Sequence, residues 1–203
     1  MGRGGALALL AGGGVLGAAL WWRTHPSACP YSQRFWVEAP HPFITRARLR
    51  EILEPRPGER LLELGPGTGY YSLHVAEWLS PGGALAVVDI QPEMLDHTMR
   101  RAAEHGIGNI SPTRADAREL PFDDDSFDGA YLVTVLGEIP DQDAALRELR
   151  RVVRPGGRIV VGELFGDPHM VTHSALAQRA GDAGLRVERK LDGALWHFTR
   201  LQA

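Results

Sequence analysis

LLELGPGTGYY (residues 61–71) sets three glycines and a proline directly behind a short apolar run that contains one acid, Glu63. Gly65, Gly67 and Gly69 open backbone angles closed to other residues and leave the main chain bare, so a ligand can touch it. A strand that runs through such a turn into a helix is the geometry of a nucleotide-type site. The spacing is G-x-G-x-G, with Tyr70 where the third glycine of a dinucleotide fingerprint would fall. Glu63 would add negative charge beside phosphates and better suits a cationic or zwitterionic ligand.

From this turn outward the chain alternates regularly. Strands are predicted at 60–64, 84–90, 110–116, 128–135 and 158–164, with helices at 70–80, 92–106 and 141–153 between them. Pro92 opens the second of these helices and Gly106 closes it. An amphipathic helix (43–53) precedes the core; a helix (172–184) and two strands (185–191 and 194–202) follow it. Several strands are too apolar to have a wet face, which argues a parallel sheet covered on both sides. Asp192-Gly193 reads as a two-residue turn, so one of the last two strands runs antiparallel. The expected fold is α/β: a Rossmann-like, doubly wound, seven-stranded and mainly parallel sheet with an antiparallel C-terminal strand. Arg154 to Gly157 reads as a turn into the fifth strand, and Asp123 to Asp125 as a solvated turn without calcium-loop spacing.

Two more acids stand where strands end. Asp89 lies 20 residues beyond Gly69, at the position that meets ribose hydroxyls in doubly wound sheets. Asp116, with Ala117, follows the third strand and is placed to meet an adenine edge. All of them gather in the crevice outside the carboxyl ends of the strands. The turn must then admit a nucleoside without phosphates, which disfavours a nicotinamide dehydrogenase.

At these residues the sequence resembles a known family. ELGPGTG, VVDIQPEML, DARELPFDDDSFDGAYL and LRELRRVVRPGGRIVVGE look like the successive motifs of class I S-adenosylmethionine-dependent methyltransferases, closest to the type-11 group with its ubiquinone/menaquinone-type C-methyltransferases. The likeness covers about residues 45–165. It implies S-adenosylmethionine as cofactor, with Glu63 and Gly65, Gly67 and Gly69 at its methionine end. Asp89 is then at the ribose, and Asp116 with Ala117 at the adenine, in a pocket lined by Ile90 and Met94. Val133, Thr134 and Val135 would end the fourth strand beside the sulfonium. A sulfonium methyl is already electrophilic, so transfer needs positioning and a dry pocket more than an acid or base.

Residues for the methyl acceptor are harder to read. Many type-11 relatives carry histidines in the loop after the fourth strand; here that loop is LGEIPD, with Gly137 and Glu138. Catalytic candidates are Glu138 and, in GDPHMVTH after the fifth strand, His169 and His173, each equally readable as a polar loop residue. Tyr70 and Tyr71 are read as a cofactor cap or helix packing, His41 and Phe43 as parts of a lid, and Trp196 and His197 as members of the last strand. The absent loop histidines also keep open a protein that binds the cofactor without turning it over.

The 203 residues suffice for one domain and an appendage, and a net charge of −3 gives no basic face for nucleic acid. One cysteine, Cys29, excludes an internal disulfide and a cysteine-built metal site, and the eight histidines show no ligand spacing, so no metal is expected. Residues 1–22 differ in kind: 4–22 is an uncharged run ending in Trp21 and Trp22. As a helix it would be roughly 29 Å long, enough to cross a hydrocarbon core, though its six glycines weaken that helix. A retained membrane anchor competes with a signal peptide, a lipoprotein signal at Cys29 and a disordered leader. An anchor would favour a lipid-like, apolar small-molecule acceptor and a cytoplasmic catalytic domain. Residues 23–42, with four prolines, read as a linker approaching a methyltransferase domain at 43–203.

Overall fold

A computed structural model describes residues 26–38 and 41–203; the segment 4–22 lies outside them. Seven strands form one sheet: β1 (Arg60–Leu64), β2 (Ala84–Asp89), β3 (Ile110–Arg114), β4 (Phe127–Val133), β5 (Val153–Leu164), β6 (Arg186–Gly193) and β7 (Trp196–Gln202). The helices are α1 (Phe35–Glu38), α2 (Arg46–Leu53), α3 (Ser72–Trp78), α4 (Pro92–Glu104), α5 (Gln142–Val152) and α6 (His173–Asp182).

The strand order is β3-β2-β1-β4-β5-β7-β6. Pairs from β3 through β5 are parallel, and β7 runs antiparallel to both β5 and β6. The expected mixed sheet is therefore present, with β7 as its single reversed strand. β1 lies inside the sheet, third in the strand order, with Leu61, Leu62 and Leu64 buried alternately toward the two helical layers. One apolar layer packs α5 and α6 on the sheet, and the other packs α2, α3 and α4. Strands buried on both faces are mostly apolar, which is why β1, β2 and β4 show no clean alternation, and Glu63 is the buried acid within β1.

Helix ends follow local chemistry. Asp141 caps α5 by accepting the amide of Ala144 at 2.9 Å, and Thr172 caps α6 through the amide of Ala175. Pro92 starts α4, and Gly106, at φ +68°, ends it in the left-handed region.

Two turn readings are corrected. Asp192 and Gly193 belong to β6 and pair with His197 and Trp196; the reversal falls at Ala194 and Leu195. Gly193 is needed for a different reason, since a Cβ there would sit 2.1 Å from the Trp196 indole nitrogen. Residues 154–157 do not precede the fifth strand but interrupt it: pairing jumps from Phe127–Val153 to Gly129–Arg158. The intervening residues bulge out, with Arg154 on Asp128 at 2.9 Å.

Arg158 ties this edge to α2. Its guanidinium is almost wholly buried, meets Glu59 at 2.5 Å, and donates to the carbonyls of Leu53 and Glu54 at the helix end. Arg158→Ala strands a buried carboxylate and two carbonyls, and should lower stability by about 3 kcal/mol, read as a fall in the urea midpoint at unchanged slope.

Candidate functional site

The connections from β1 lead one way to β2 and β3, and those from β4 the other way to β5. Strands separate their loops where that order reverses, so a crevice opens at the carboxyl ends of β1 and β4. A cavity of about 360 Å³ occupies it. Its wall includes Gly65 and Gly67, Asp89, Ile90 and Met94, Asp116 and Ala117, and Val133, Thr134, Val135 and Glu138. Residues read from three separate motifs thus surround one space.

The glycine turn is as bare as expected. Gly65 and Gly67 have φ of +66° and +56°, and a Cβ on them would meet Val135 at 2.5 Å and Val37 at 2.6 Å. Gly69, at φ +80°, instead lets the turn settle against Leu73 and Thr98, and it does not line the cavity. Glu63 is also set back. It is buried behind the turn, where its Oε2 accepts the Ser72 hydroxyl at 2.5 Å. Burial raises its pKa to about 7, and the Ser72 hydrogen bond pulls it partly back. It acts on the site through its charge and through α3, whose first residue is Ser72.

Asp89 ends β2 at the cavity wall and accepts the Gln91 amide at 2.9 Å. Burial lifts its pKa to about 6, against the pull of backbone hydrogen bonds. Asp116 is held by Arg118, at 2.7 Å, which lowers its pKa and fixes the carboxylate at the opening. Thr134 follows β4 with φ +56°, a strained conformation for a β-branched side chain. Its amide is satisfied by the Gly162 carbonyl at 2.8 Å, so the neighbouring strand holds that strain beside the cavity.

The N-terminal residues do more than approach. Pro26, Ser27, Ala28 and Cys29 line the cavity, and Val37 covers Gly67. The Cys29 amide donates to Glu138 at 3.3 Å; Gln91 donates to the Cys29 carbonyl at 3.0 Å and accepts the Tyr31 amide at 3.1 Å. The segment bridges the loops after β2 and β4 and closes the site from above. Its partners lie 60 or more positions away in sequence, which no local pattern reveals.

Of the histidine candidates, neither lines the cavity. His173 lies on the far edge, bonded to Thr199 at 3.0 Å and Asp192 at 2.6 Å and stacked on His197. The His169 carbonyl packs where a Cβ on Gly137 would be, and its amide bonds Asp167 at 2.8 Å. His41 and Phe43 do not reach the cavity either; His41 packs on Tyr70, Phe43 is exposed, and Tyr71 is core, its hydroxyl on the Ile44 carbonyl. Among the described residues no cluster of three or more His, Cys, Asp or Glu could hold a metal.

Glu138 alone of the catalytic candidates faces the space. Burial pushes its pKa to about 8, the Cys29 amide lowers it, and the charges of Asp167 and Asp89 add to the rise. Folding therefore keeps a proton that the unfolded chain loses near 4.5, so stability falls as pH rises from about 4.5 to about 8. Glu138→Gln removes that slope. Its urea-unfolding free energy should match the parent at pH 4 and exceed it at pH 8 by on the order of 2 kcal/mol, after allowance for water at the cavity.

Comparisons with known proteins agree with this geometry. Residues 41–178 match the model of the ubiE/COQ5 methyltransferase family. A protein named ubiquinone/menaquinone biosynthesis C-methyltransferase UbiE from Cellvibrio japonicus is 39% identical over 115 residues, 56% of this chain and 46% of that one. The similarly named protein of Vibrio parahaemolyticus is 40% identical over 114 residues, 56% and 44% of the two chains. The chain thus spans less than half the length of these relatives. A SAM-dependent methyltransferase structure from Aquifex aeolicus superposes with a TM-score of 0.79 at 18% identity, over 86% of this chain and 98% of that one. The [4+2]-cyclase SpnF superposes at 0.71 with 19% identity, over 77% and 78%. Both show the fold, and since one is a methyltransferase and the other a cyclase, the fold alone does not assign chemistry.

Proposed function

Since the chain belongs to the ubiE/COQ5 methyltransferase family, we propose that it binds S-adenosylmethionine in the cavity at the β1–β4 crevice and transfers its methyl group to a small apolar acceptor. The observation that carries this is the convergence of Gly65, Gly67, Asp89, Asp116 and Ala117 on one space.

The residues fit the cofactor chemically. A cradle that any Cβ would fill suits close backbone contact, and Asp89 offers a half-buried acceptor to paired hydroxyls. Ile90, Met94 and Ala117 give an apolar slot for a base, with Asp116 at its edge. Glu63 supplies negative charge behind the turn, which complements a positive ligand. When bound, the cofactor contributes an electrophilic methyl on a sulfonium. The chain contributes orientation, exclusion of water by residues 26–38, and a proton acceptor.

Glu138 is that acceptor in this reading. Once ionised, Glu138 is basic enough to take a proton from a hydroxyl or an activated carbon, so its share as a base grows as pH rises toward about 8. It stands where the type-11 pattern often has histidine, a change of side chain that keeps a base at the same rim. Residues 4–22 act as a membrane anchor that holds the cytoplasmic domain near apolar acceptors. Among the described residues no helix is long and apolar enough to cross a membrane, and 4–22 lies outside them.

Calorimetry tests the cofactor. S-adenosylmethionine should bind saturably, more tightly as pH rises through about 6 because hydroxyls bond the ionised Asp89 better. Asp89→Ala should weaken binding about 100-fold without loss of fold by circular dichroism. Absence of binding to folded wild-type protein sinks the assignment. Fractionation tests the anchor: the full chain should sediment with membranes and a variant lacking residues 1–22 should not, and equal partition of the two discards it.

A further inference from the structure

A second hollow, of about 540 Å³, lies behind the glycine turn and shares no lining residue with the first. Its walls are Arg34, Glu38, Arg46, Tyr70, His97 and Arg101. The residues come from four places: the start and end of α1, the first residue of α2, the turn before α3, and one face of α4. α1 is the wall between the two hollows, since Val37 covers Gly67 while Arg34 and Glu38 face the other way.

Three guanidiniums and one carboxylate line this hollow. Each guanidinium is held from one side. Arg101 donates to the Thr68 carbonyl at 2.7 Å; Arg46 stacks over Tyr70 at 4.4 Å and meets His74; Arg34 lies over Tyr31 at 4.8 Å. Glu38 is shared, 3.6 Å from Arg34 and 3.5 Å from His97. The buried Nε of Arg46 finds no hydrogen-bond partner among the described residues. A buried guanidinium N–H left unpaired is costly, and an oxyanion is a group that relieves it. His97 feels the same field, its pKa lowered by burial and by Arg100, Arg101 and Arg34 against the opposing pull of Glu38. With His97 neutral, one acid leaves two of the three positive charges unbalanced.

We propose that this hollow is an oxyanion site that takes a phosphate or diphosphate group. Planar, anchored guanidinium forks match phosphate oxygens, and the space exceeds what a diphosphate fills. The group can be that of a soluble phosphate ester or of an anionic lipid headgroup. This site is separate from the cavity assigned to S-adenosylmethionine, and its test does not need that cofactor.

Inorganic pyrophosphate is the probe, titrated by calorimetry into the full chain, alongside co-sedimentation of the variant lacking residues 1–22, which removes the proposed anchor, with phosphatidylcholine vesicles with and without phosphatidylglycerol. Wild type should bind pyrophosphate saturably, and saturating S-adenosylmethionine should leave that binding intact. Arg34→Gln should weaken it about tenfold, the worth of one charge-assisted hydrogen bond. Glu38→Gln should tighten it severalfold by removing the competing acid. Vesicle binding that requires phosphatidylglycerol and is lost in Arg34→Gln, with no response to pyrophosphate, assigns the phosphate to a lipid. No binding to either probe, binding that both variants leave unchanged, or displacement of pyrophosphate by S-adenosylmethionine overturns the proposal. Circular dichroism melts of both variants, whose substituted side chains lie at the surface, establish that they are folded.

Discussion

Everything in this molecule hangs on β1 being buried on both faces and yet ending in a turn with almost no side chains. The burial of Leu61, Leu62 and Leu64 fixes the strand in the interior of the sheet, with β2 on one side and β4 on the other. Because the chain winds outward in both directions from that point, the loops beyond β1 and β4 part. A bulkier turn would fill the gap they leave. Gly65 and Gly67 keep it open, and their positive φ angles turn the backbone back toward α3 without a side chain in the way. Fold and site are consequences of one local requirement.

How much of this was legible depends on the range over which each signal acts. β1 is legible to the residue, because an apolar run bounded by charge and glycine has few alternatives. The gathering of Asp89 and Asp116 at one rim follows from parallel winding, which sends every strand end to the same side. Turns at the far edge were less readable. Asp192-Gly193 has the composition of a reversal, yet Gly193 is there because the Trp196 ring lies on it, a contact that depends on tertiary packing. Glu63 was read as touching a ligand, and the pleat puts it beside Tyr131 on the neighbouring strand and under Ser72. Least legible was the closure by residues 26–38. Four prolines suppress any periodic pattern, and the contacts that seat the segment join single polar atoms across the whole domain.

That closure changes the chemistry available to the loop after β4. Open to water, Glu138 would be an ordinary exposed acid and a poor base. Covered by Cys29 and faced by Asp167 and Asp89, it holds its proton to about pH 8. In the function proposed above, the same cover would limit water around the sulfonium methyl. The N-terminal segment therefore helps to bury Glu138 at Cys29, which raises its pKa, as well as walling the cavity, and α1 has its other side on the arginine-lined hollow.

Three acids at or behind the crevice share a further property, which Asp116, paired with Arg118, lacks. Glu63, Asp89 and Glu138 come from three different strands or their following loops, and burial raises the pKa of each. A group of carboxyls held partly neutral is unfavourable in the empty protein, since each has lost water and none has gained a cation. A positively charged ligand reverses that balance, allowing the nearer carboxyls to ionise against it. The loss of the positive charge when the methyl leaves then weakens the hold on what remains. On this argument the carboxyl ring favours the charged cofactor over its neutral product, so that binding energy withdrawn after transfer assists release. The strained Thr134, the bare glycines and the raised acids are then parts of one arrangement, stable as a fold because β4 and β5 hold it and because Glu63, Asp89 and Glu138 each accept a hydrogen bond, from Ser72, Gln91 and Cys29.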